Sequence, residues 1–180
     1  PLIIHHPEFG HGERRQQLVQ NVDVYATVLD IFDKRISDDR DGISLIPILQ
    51  SPDARTREYA IMGQFGHSIS ITDGVWTLHQ PPNPEQPLYW YSYYLSRAYQ
   101  GMDLGPFSEG RRRVLKVDPP ADPEILTTWL TNLAEDPAEL VNLVDVYPEK
   151  KRKMQKALKA KMLSCRAPYE LLDRFGVADI

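Results

Sequence analysis

The sequence is poor in cysteine, in long apolar runs and in net charge, and each shortage excludes a class of protein. The single cysteine, Cys165, allows no internal disulfide and no metal site built from several cysteines. No apolar run approaches the ~18 residues that cross a bilayer, so no membrane partner is expected. A net charge of -4 over 180 residues gives no general attraction to nucleic acid. The 42% of hydrophobic residues are enough for a core and exclude wholesale disorder.

The first residues have the pattern of a buried strand. Leu2 to His6 form a short apolar run that Pro7 ends. Complete domains seldom begin inside a strand, and the chain starts at Pro1 without an initiator methionine. We therefore expect a fragment whose N-terminal part is missing. The chain has no signal-peptide pattern, but such a peptide would lie in the missing part, so the compartment stays unknown.

The residue spacing then predicts two helices followed by antiparallel strands. Apolar residues at helical intervals predict a helix over 18–32, and Pro47 suits the first turn of a short helix at 44–49. Asp73-Gly74 lies between two alternating runs, 68–72 and 75–79. This is a strong hairpin signal, because glycine accepts a positive φ freely. Further strands are expected at 59–64, 114–117 and 128–133.

The C-terminal part has the most regular helical pattern. Pro148 opens a helix that extends to about Cys165 and carries Met154, Leu158 and Met162 on one stripe. A last short helix over 167–176 ends at a glycine. The predicted class is α/β (α+β), in which residues 1–56 end an α/β core. Residues 57–180 form a subdomain in which a small antiparallel sheet packs with the long helix.

The stretch "LTNLAEDPAELVNLVDVYPE" combines a strand, a turn and a helix start. Asp136-Pro137 makes the turn, Glu139 suits the first turn of a helical segment, and Asn142-Leu143 leads to Pro148. This order resembles the C-terminal end of sulfatases in the alkaline-phosphatase superfamily, which typically read L-Y-D-L-x-x-D-P-x-E-x-x-N-L. The predicted α/β core of residues 1–56 accordingly resembles the end of an alkaline-phosphatase-like core.

The rest of the chain is similar to the same family in the same order. "PLII", "VD", "TVLD" and "DGISLIPIL" resemble the sulfatase run PLII…V-D-x-x-P-T-L-L-D…D-G-x-S-L-x-P-x-L, with Ala26 in place of the usual proline. "SITDGVWTLHQ" and "PLYWY" resemble its hairpin and its P-L-Y-x-Y. "APYELLDRFG" resembles the tail of one bacterial subgroup.

The resemblance implies sulfuric ester hydrolysis by a complete parent protein. Sulfatases use a formylglycine made from Cys or Ser in C/S-x-P-x-R and a divalent metal, usually calcium. In the family both lie N-terminal to the "PLII" strand, so we expect them in the missing part and predict no catalytic or metal residue here. Cys165 does not fit, because Pro168 stands one place too late and the required arginine is absent. The chain alone is therefore expected to be inactive.

His67 is the one substrate-binding candidate. It lies just before the predicted hairpin, in a sheet that in the related subgroup leans over the active-site cleft. The resemblance thus implies contact with a small sulfate-ester substrate, although a lone histidine is often only a hydrogen-bonded loop residue. His5, His6 and His11 fit neither a helix face nor a zinc module, so no metal role is predicted for them.

The charged and aromatic clusters favour structural interpretations. The basic face of the long helix is expected to be solvated, and Arg111, Arg112 and Arg113 are expected on a loop surface, with anion contact as the alternative. The aromatic group suggests core packing or a subunit contact, which leaves a homo-oligomer open; it comprises Tyr89, Trp90, Tyr91, Tyr93 and Tyr94.

Two other functions stay open. A phosphonate or phosphodiester hydrolase of the same superfamily shares this tail, and only the N-terminal part separates it from a sulfatase. A non-catalytic binding or oligomerisation module is the alternative from another class, although such a module would be expected to begin with a methionine and a linker. The expected partner in the leading interpretation is the missing N-terminal catalytic domain.

Overall fold

The computed structural model describes residues 2–8, 12–38, 40–92, 113–118 and 127–180, and for 91, 92 and 113–115 it describes the backbone alone. The chain forms helices and antiparallel strands, which confirms the predicted mixed class. The helices are α1 (Val22–Ile31), α2 (Ile46–Gln50), α3 (Pro148–Ser164) and α4 (Tyr169–Arg174). The strands are β1 (Ala60–Gly63), β2 (Ile69–Thr72), β3 (Trp76–Gln80), β4 (Leu88–Ser92), β5 (Arg113–Val117) and β6 (Trp129–Asn132).

Four strands form one antiparallel sheet in the order β1-β2-β3-β6. The predicted hairpin is its centre, with Ile71 opposite Leu78. The connection is longer than a two-residue turn, because Thr72 pairs with Thr77. Gly74 takes the positive φ of +91° that the turn requires. Asp73 fixes the turn by accepting hydrogen bonds from the backbone N–H groups of Val75 and Trp76, at 3.0 and 2.7 Å.

The hydrophobic core lies between this sheet and α3. The predicted stripe is confirmed, because the exposed fractions of Met154, Leu158 and Met162 are 0%, 0% and 3%. Strands β2, β3 and β6 each contribute one side chain to this core, and α4 and the C-terminal segment contribute one each. The core comprises Ile71, Leu78, Leu130, Met154, Leu158, Met162, Leu172 and Val177.

Strands β4 and β5 form a separate two-stranded antiparallel sheet. Leu88 pairs with Val117 and Trp90 with Leu115. Strand β5 confirms the strand predicted at 114–117, whereas β4 lies in the aromatic group, for which no strand is predicted. The backbone N–H of Asn83, in the loop before β4, donates a 2.6 Å hydrogen bond to the carbonyl of Arg174 at the end of α4. This loop therefore places the second sheet beside α4.

The N-terminal segment differs from the prediction of a buried strand. Residues 2–5 have no strand pairing, and only an isolated bridge occurs at His6. Ile3 is 90% exposed, and Leu2 and Ile4 are also exposed. A strand requires a neighbour with which to form its hydrogen-bond ladder, and the described part of the chain places none beside this segment. The prediction of a strand at 2–6 is therefore wrong for the chain as it folds here.

Helix α1 is shorter than predicted and buries its polar side. It begins at Val22 rather than at Leu18, and it buries Asp23, Ala26 and Thr27. The Thr27 hydroxyl accepts a 2.9 Å hydrogen bond from the backbone N–H of Leu45, at the start of α2. Of the apolar residues at helical intervals, Ala26 is buried, whereas Val22, Tyr25 and Phe32 are 50%, 54% and 67% exposed.

The stretch between α1 and α2 explains the Asp41-Gly42 motif. A Cβ atom at Gly42 would lie 2.3 Å from the carbonyl oxygen of Val22, so only glycine allows the two segments to approach this closely. Asp23 also holds these two segments together. Its carboxylate accepts a 2.9 Å hydrogen bond from the N–H of Ile43 and forms a buried ion pair with Arg57. The division of the chain at 56/57 stays a prediction.

Candidate functional site

The loop between β1 and β2 carries His67. The backbone N–H of His67 donates a 3.0 Å hydrogen bond to the carbonyl of Gln64, which closes a tight turn. Gly66 permits this turn with a φ of +83°. His67 is half-buried, and its Nδ1 atom is buried without a hydrogen-bond partner among the described residues. A neutral imidazole nitrogen is a hydrogen-bond donor or an acceptor, depending on the tautomer.

A cleft of about 620 Å³ lies beside this loop. Gly66 and Ser68 line it, whereas His67 between them does not. Its walls are mainly apolar and include Phe65 and Trp90, whose ring centroids lie 5.9 Å apart at an interplanar angle of 45°. The size falls within the range of ~300–1,000 Å³ that is typical of small-molecule sites. The structure therefore places His67 at the margin of the cleft, and its role in binding substrate stays a prediction.

Arg174 forms part of the wall of this cleft and is almost fully buried, with an exposed fraction of 1%. Its Nη1 atom donates to the carbonyl of Gln86 at 2.6 Å, and Nη2 lies 3.4 Å from the carbonyl of Gly66. Its Nε atom is buried and has no partner in the described part of the chain. Burial lowers the pKa of Arg174 from its ordinary value, but arginine keeps its charge near neutral pH.

Sequence reasoning did not identify Arg174 as a candidate. Charged residues are almost never fully buried unless they are paired, so a pattern of burial along a helix assigns them to the solvent side. The local signals are its position in α4, two residues after the buried Leu172, and its place in the segment "APYELLDRFG" that resembles a sulfatase tail. The long-range contacts with Gln86 and Gly66 cannot be read from the spacing of residues.

Asn142, in the stretch that follows Asp136-Pro137, holds strand β6 in place. The Asn142 side chain accepts hydrogen bonds from the N–H groups of Leu130 and Val144, at 3.0 and 3.1 Å, and donates one to the carbonyl of Thr128 at 3.0 Å. It thus takes the place of a neighbouring strand for part of β6. The expectation that Glu139 begins a helical segment is wrong, because residues 133–147 form turns and bends and Glu139 has a φ of +55°.

Glu139 instead joins a polar network on the sheet face opposite the core. Its carboxylate accepts a 2.8 Å hydrogen bond from the buried Thr131 hydroxyl and lies 3.3 Å from Nε2 of His79. The other ring nitrogen of His79 lies 2.7 Å from the Ser70 hydroxyl. None of the three described cavities is lined by these four residues. The network therefore has the contacts of a structural element, and sequence reasoning missed it because its members are up to 69 positions apart.

The remaining candidates lie apart from the cleft or outside the description. His11, Arg111, Arg112, Tyr93 and Tyr94 lie outside the described residues, and of Tyr91 and Arg113 only the backbone is described. Within the described ranges, no three His, Cys, Asp or Glu residues form a group that could hold a metal ion. In the same ranges, no helix has the length and apolar character needed to span a membrane.

The basic face of α3 is only partly solvated. Lys150 donates a 2.7 Å hydrogen bond to the Asp73 carboxylate, and its ammonium group lies 5.3 Å from the centroid of the Trp76 ring. Lys159 donates to the carbonyls of Ala178 and Ile180 at the C-terminus. Two of the lysines thus bind other parts of the chain, and the prediction of a wholly solvated face is wrong for them.

Comparison with known proteins gives a sulfatase relative and no matching family model. The chain is 26% identical over 160 residues to arylsulfatase K of Xenopus laevis, which covers 89% of this chain and 25% of that protein. The chain therefore spans about a quarter of the length of this relative. A solved structure described under the metabolism of multiple glycosaminoglycans by Bacteroides thetaiotaomicron, labelled 6S-sulf, is 18% identical. The matched region covers 77% of this chain and 24% of the chain of that solved structure, with a TM-score of 0.47. The chain thus has a weak but extended similarity to a sulfatase.

Proposed function

We propose that this chain is the C-terminal part of a sulfatase-family hydrolase that cleaves sulfate esters in its complete form. The observation that carries this proposal is the similarity to arylsulfatase K along nearly the whole chain. The stretch around Asp136-Pro137 and the "PLII" segment also resemble the family, in the same order. The nucleophile, formed as formylglycine, and the divalent metal, expected to be calcium, belong to the N-terminal part of the complete protein.

The exposed apolar surface supports an N-terminal catalytic domain as the partner. On α1, the exposed fractions of Val24, Val28 and Ile31 are 43%, 46% and 43%. The Leu2 to Ile4 segment, which has no strand pairing among the described residues, adds further apolar surface that a neighbouring strand could cover. Large exposed apolar patches mark interaction sites. In the proposed parent, a strand of the catalytic core pairs with this segment and covers this surface.

His67 contributes to substrate binding in the proposed parent. Its Nδ1 atom lacks a partner among the described residues. In the N–H tautomer this atom would donate a hydrogen bond to a sulfate oxygen or a leaving-group oxygen that reaches it in the complete enzyme. The test is His67→Ala in the complete enzyme, with turnover and thermal midpoint measured together. Turnover should fall by about 10²–10³ if the donor acts on the transition state.

His79→Ala is the matched control. His79 is hydrogen-bonded to Ser70 and close to Glu139, so its removal should lower the midpoint and leave the turnover of the folded fraction nearly intact. If His67→Ala gives the same pattern as this control, His67 is structural. A panel of sulfate, phosphate and phosphonate esters then identifies the reaction, and preference for a phosphorus ester would replace the sulfatase by a phosphonate or phosphodiester hydrolase.

A further inference from the structure

We propose that a second cleft, next to the β2–β3 turn, binds an extended peptide segment of a partner protein through the main chain of that peptide. The cleft has a volume of about 700 Å³. Its walls are residues 16–18, the segment 52–58 between α2 and β1, and residues 73–76 of the turn. No described residue lines both this cleft and the one beside His67. Peptide binding here involves no catalytic step and therefore goes beyond the proposed hydrolysis.

Two side chains of the cleft walls have buried polar atoms that lack hydrogen bonds. Nε of Arg57 and Oε1 of Gln17 are both buried without a partner among the described residues. The Arg57 side chain is only 4% exposed, and its other two nitrogens donate to Gln20 and Asp23. The amide nitrogen of Gln17 donates to the carbonyl of Pro52 at 2.5 Å, which leaves its oxygen as an acceptor. Because buried polar groups are rarely left unpaired, the cleft requires one acceptor and one donor from elsewhere.

A secondary amide supplies both of these groups. Its carbonyl accepts a hydrogen bond from Arg57, and its N–H donates one to Gln17. An ester or an inorganic anion has acceptors but no donor, so it would leave Gln17 unpaired. The two unpaired atoms therefore favour a ligand that has the polar groups of a peptide bond.

The charges around the cleft favour a neutral ligand. Arg57 already forms an ion pair with Asp23, and Asp73 forms one with Lys150 at 2.7 Å. The exposed charged residues of the wall carry both signs and comprise Asp53, Arg55 and Glu58. A charged ligand would thus meet no unpaired buried counter-charge among the residues described for this wall.

The walls also suit an extended chain with an apolar side chain. Arg55, Thr56 and Arg57 lie in neither a helix nor a strand, and their backbone N–H groups have no hydrogen bond to another described residue. They can therefore pair with the main chain of a peptide, as in the addition of a β-strand. Val75, which is 47% exposed, and Trp76 provide an apolar surface in the same cleft. A peptide offers main-chain amides and a side chain for this surface in one molecule.

The experiment is an NMR titration of the 180-residue chain with the neutral peptide acetyl-alanyl-leucyl-alanine methylamide. The indole N–H signal of Trp76 is the reporter, and that of Trp90, which lines the other cleft, is the internal control. The peptide should shift the Trp76 signal with a dissociation constant in about the millimolar range and leave the Trp90 signal unchanged. An analogue with ester linkages in place of every amide has no N–H donor and should bind about 3- to 10-fold more weakly.

Three variants identify the contacts. Gln17→Ala removes the acceptor, so it should weaken the peptide by about 3- to 10-fold and affect the ester analogue much less. Val75→Ala removes exposed apolar surface, so it should fold normally and weaken both probes by about 2- to 5-fold. Val24→Ala is the matched control, because Val24 is 43% exposed on α1 and does not line the cleft. It should leave the binding of both probes unchanged.

Any of four results would overturn the proposal. The folded chain does not bind the peptide at about 10 mM, which would leave water as the partner of both unpaired atoms. The ester analogue binds as well as the peptide, which would exclude recognition of the main chain. Val75→Ala leaves both affinities unchanged, which would place the binding elsewhere. The peptide binds the 180-residue chain but not the complete protein, which would mean that the complete chain fills the cleft itself.

Discussion

Replacing Leu158 by alanine tests whether α3 is packed on the sheet as the structure shows. Leu158 has an exposed fraction of 0% and lies in the core cluster with Ile71, Leu78 and Leu130. Buried leucine-to-alanine substitutions cost about 2–5 kcal/mol, because they lose apolar burial and leave a cavity. With a urea m-value of about 2 kcal/mol/M, a cost of about 3 kcal/mol lowers the unfolding midpoint by roughly 1.5 M. The assay is urea unfolding followed by far-ultraviolet circular dichroism.

Leu163→Ala provides the matched control on the same helix. Leu163 is 51% exposed, so the same chemical change should cost only about 0.5 kcal/mol. A cost below about 1 kcal/mol for Leu158→Ala, or equal costs for the two variants, would mean that the stripe of α3 does not face the core. The assignment of the sheet and helix as one packed unit would then fail.

Three further predictions concern Asn142, the hairpin turn and the isolated chain. Asn142→Ala should cost about 1–3 kcal/mol in urea unfolding, because it leaves the N–H of Leu130 and the carbonyl of Thr128 without their partners. A change below about 0.5 kcal/mol would mean that Asn142 does not hold β6. Burial would raise the pKa of Asp73, but hydrogen bonds from Lys150, Trp76 and Val75 outweigh this effect and lower the pKa. The carboxylate therefore stabilises the fold above its unfolded pKa of about 3.9, and this contribution is lost as pH falls through the folded pKa. Thermal midpoints of Asp73→Asn should therefore fall less between about pH 5 and pH 2 than those of the unchanged chain, and parallel curves would contradict this. The purified 180-residue chain should not turn over a chromogenic sulfate ester, and turnover with contaminating enzyme excluded would overturn the proposed division of roles.

The elements that the sequence predicts well are those with local causes. The hairpin follows from Asp73-Gly74, whose backbone requirements are met within the turn itself. Helix α3 follows from Pro148 and from a stripe of three apolar residues that face one sheet. In both cases the residues that determine the element lie within it, so their spacing is sufficient evidence.

The predictions fail where an element depends on distant groups. The strand at 2–6 has the right composition, but strand formation needs a paired neighbour, which composition does not provide. Helix α1 has an apolar stripe, yet its buried Asp23 is held by Arg57 from another part of the chain. Arg174 is missed for the same reason, because its two carbonyl partners are 88 and 108 positions away.

The proposed sulfatase function is tested most simply by reading the coding sequence immediately upstream of Pro1. We predict an open reading frame that continues upstream and encodes C/S-x-P-x-R together with Asp and Asn residues suited to a divalent metal. A start codon directly before Pro1, or an upstream region that encodes no such motif, would refute the proposed sulfatase function. The chain would then be a non-catalytic module that shares only its fold and motifs with sulfatases.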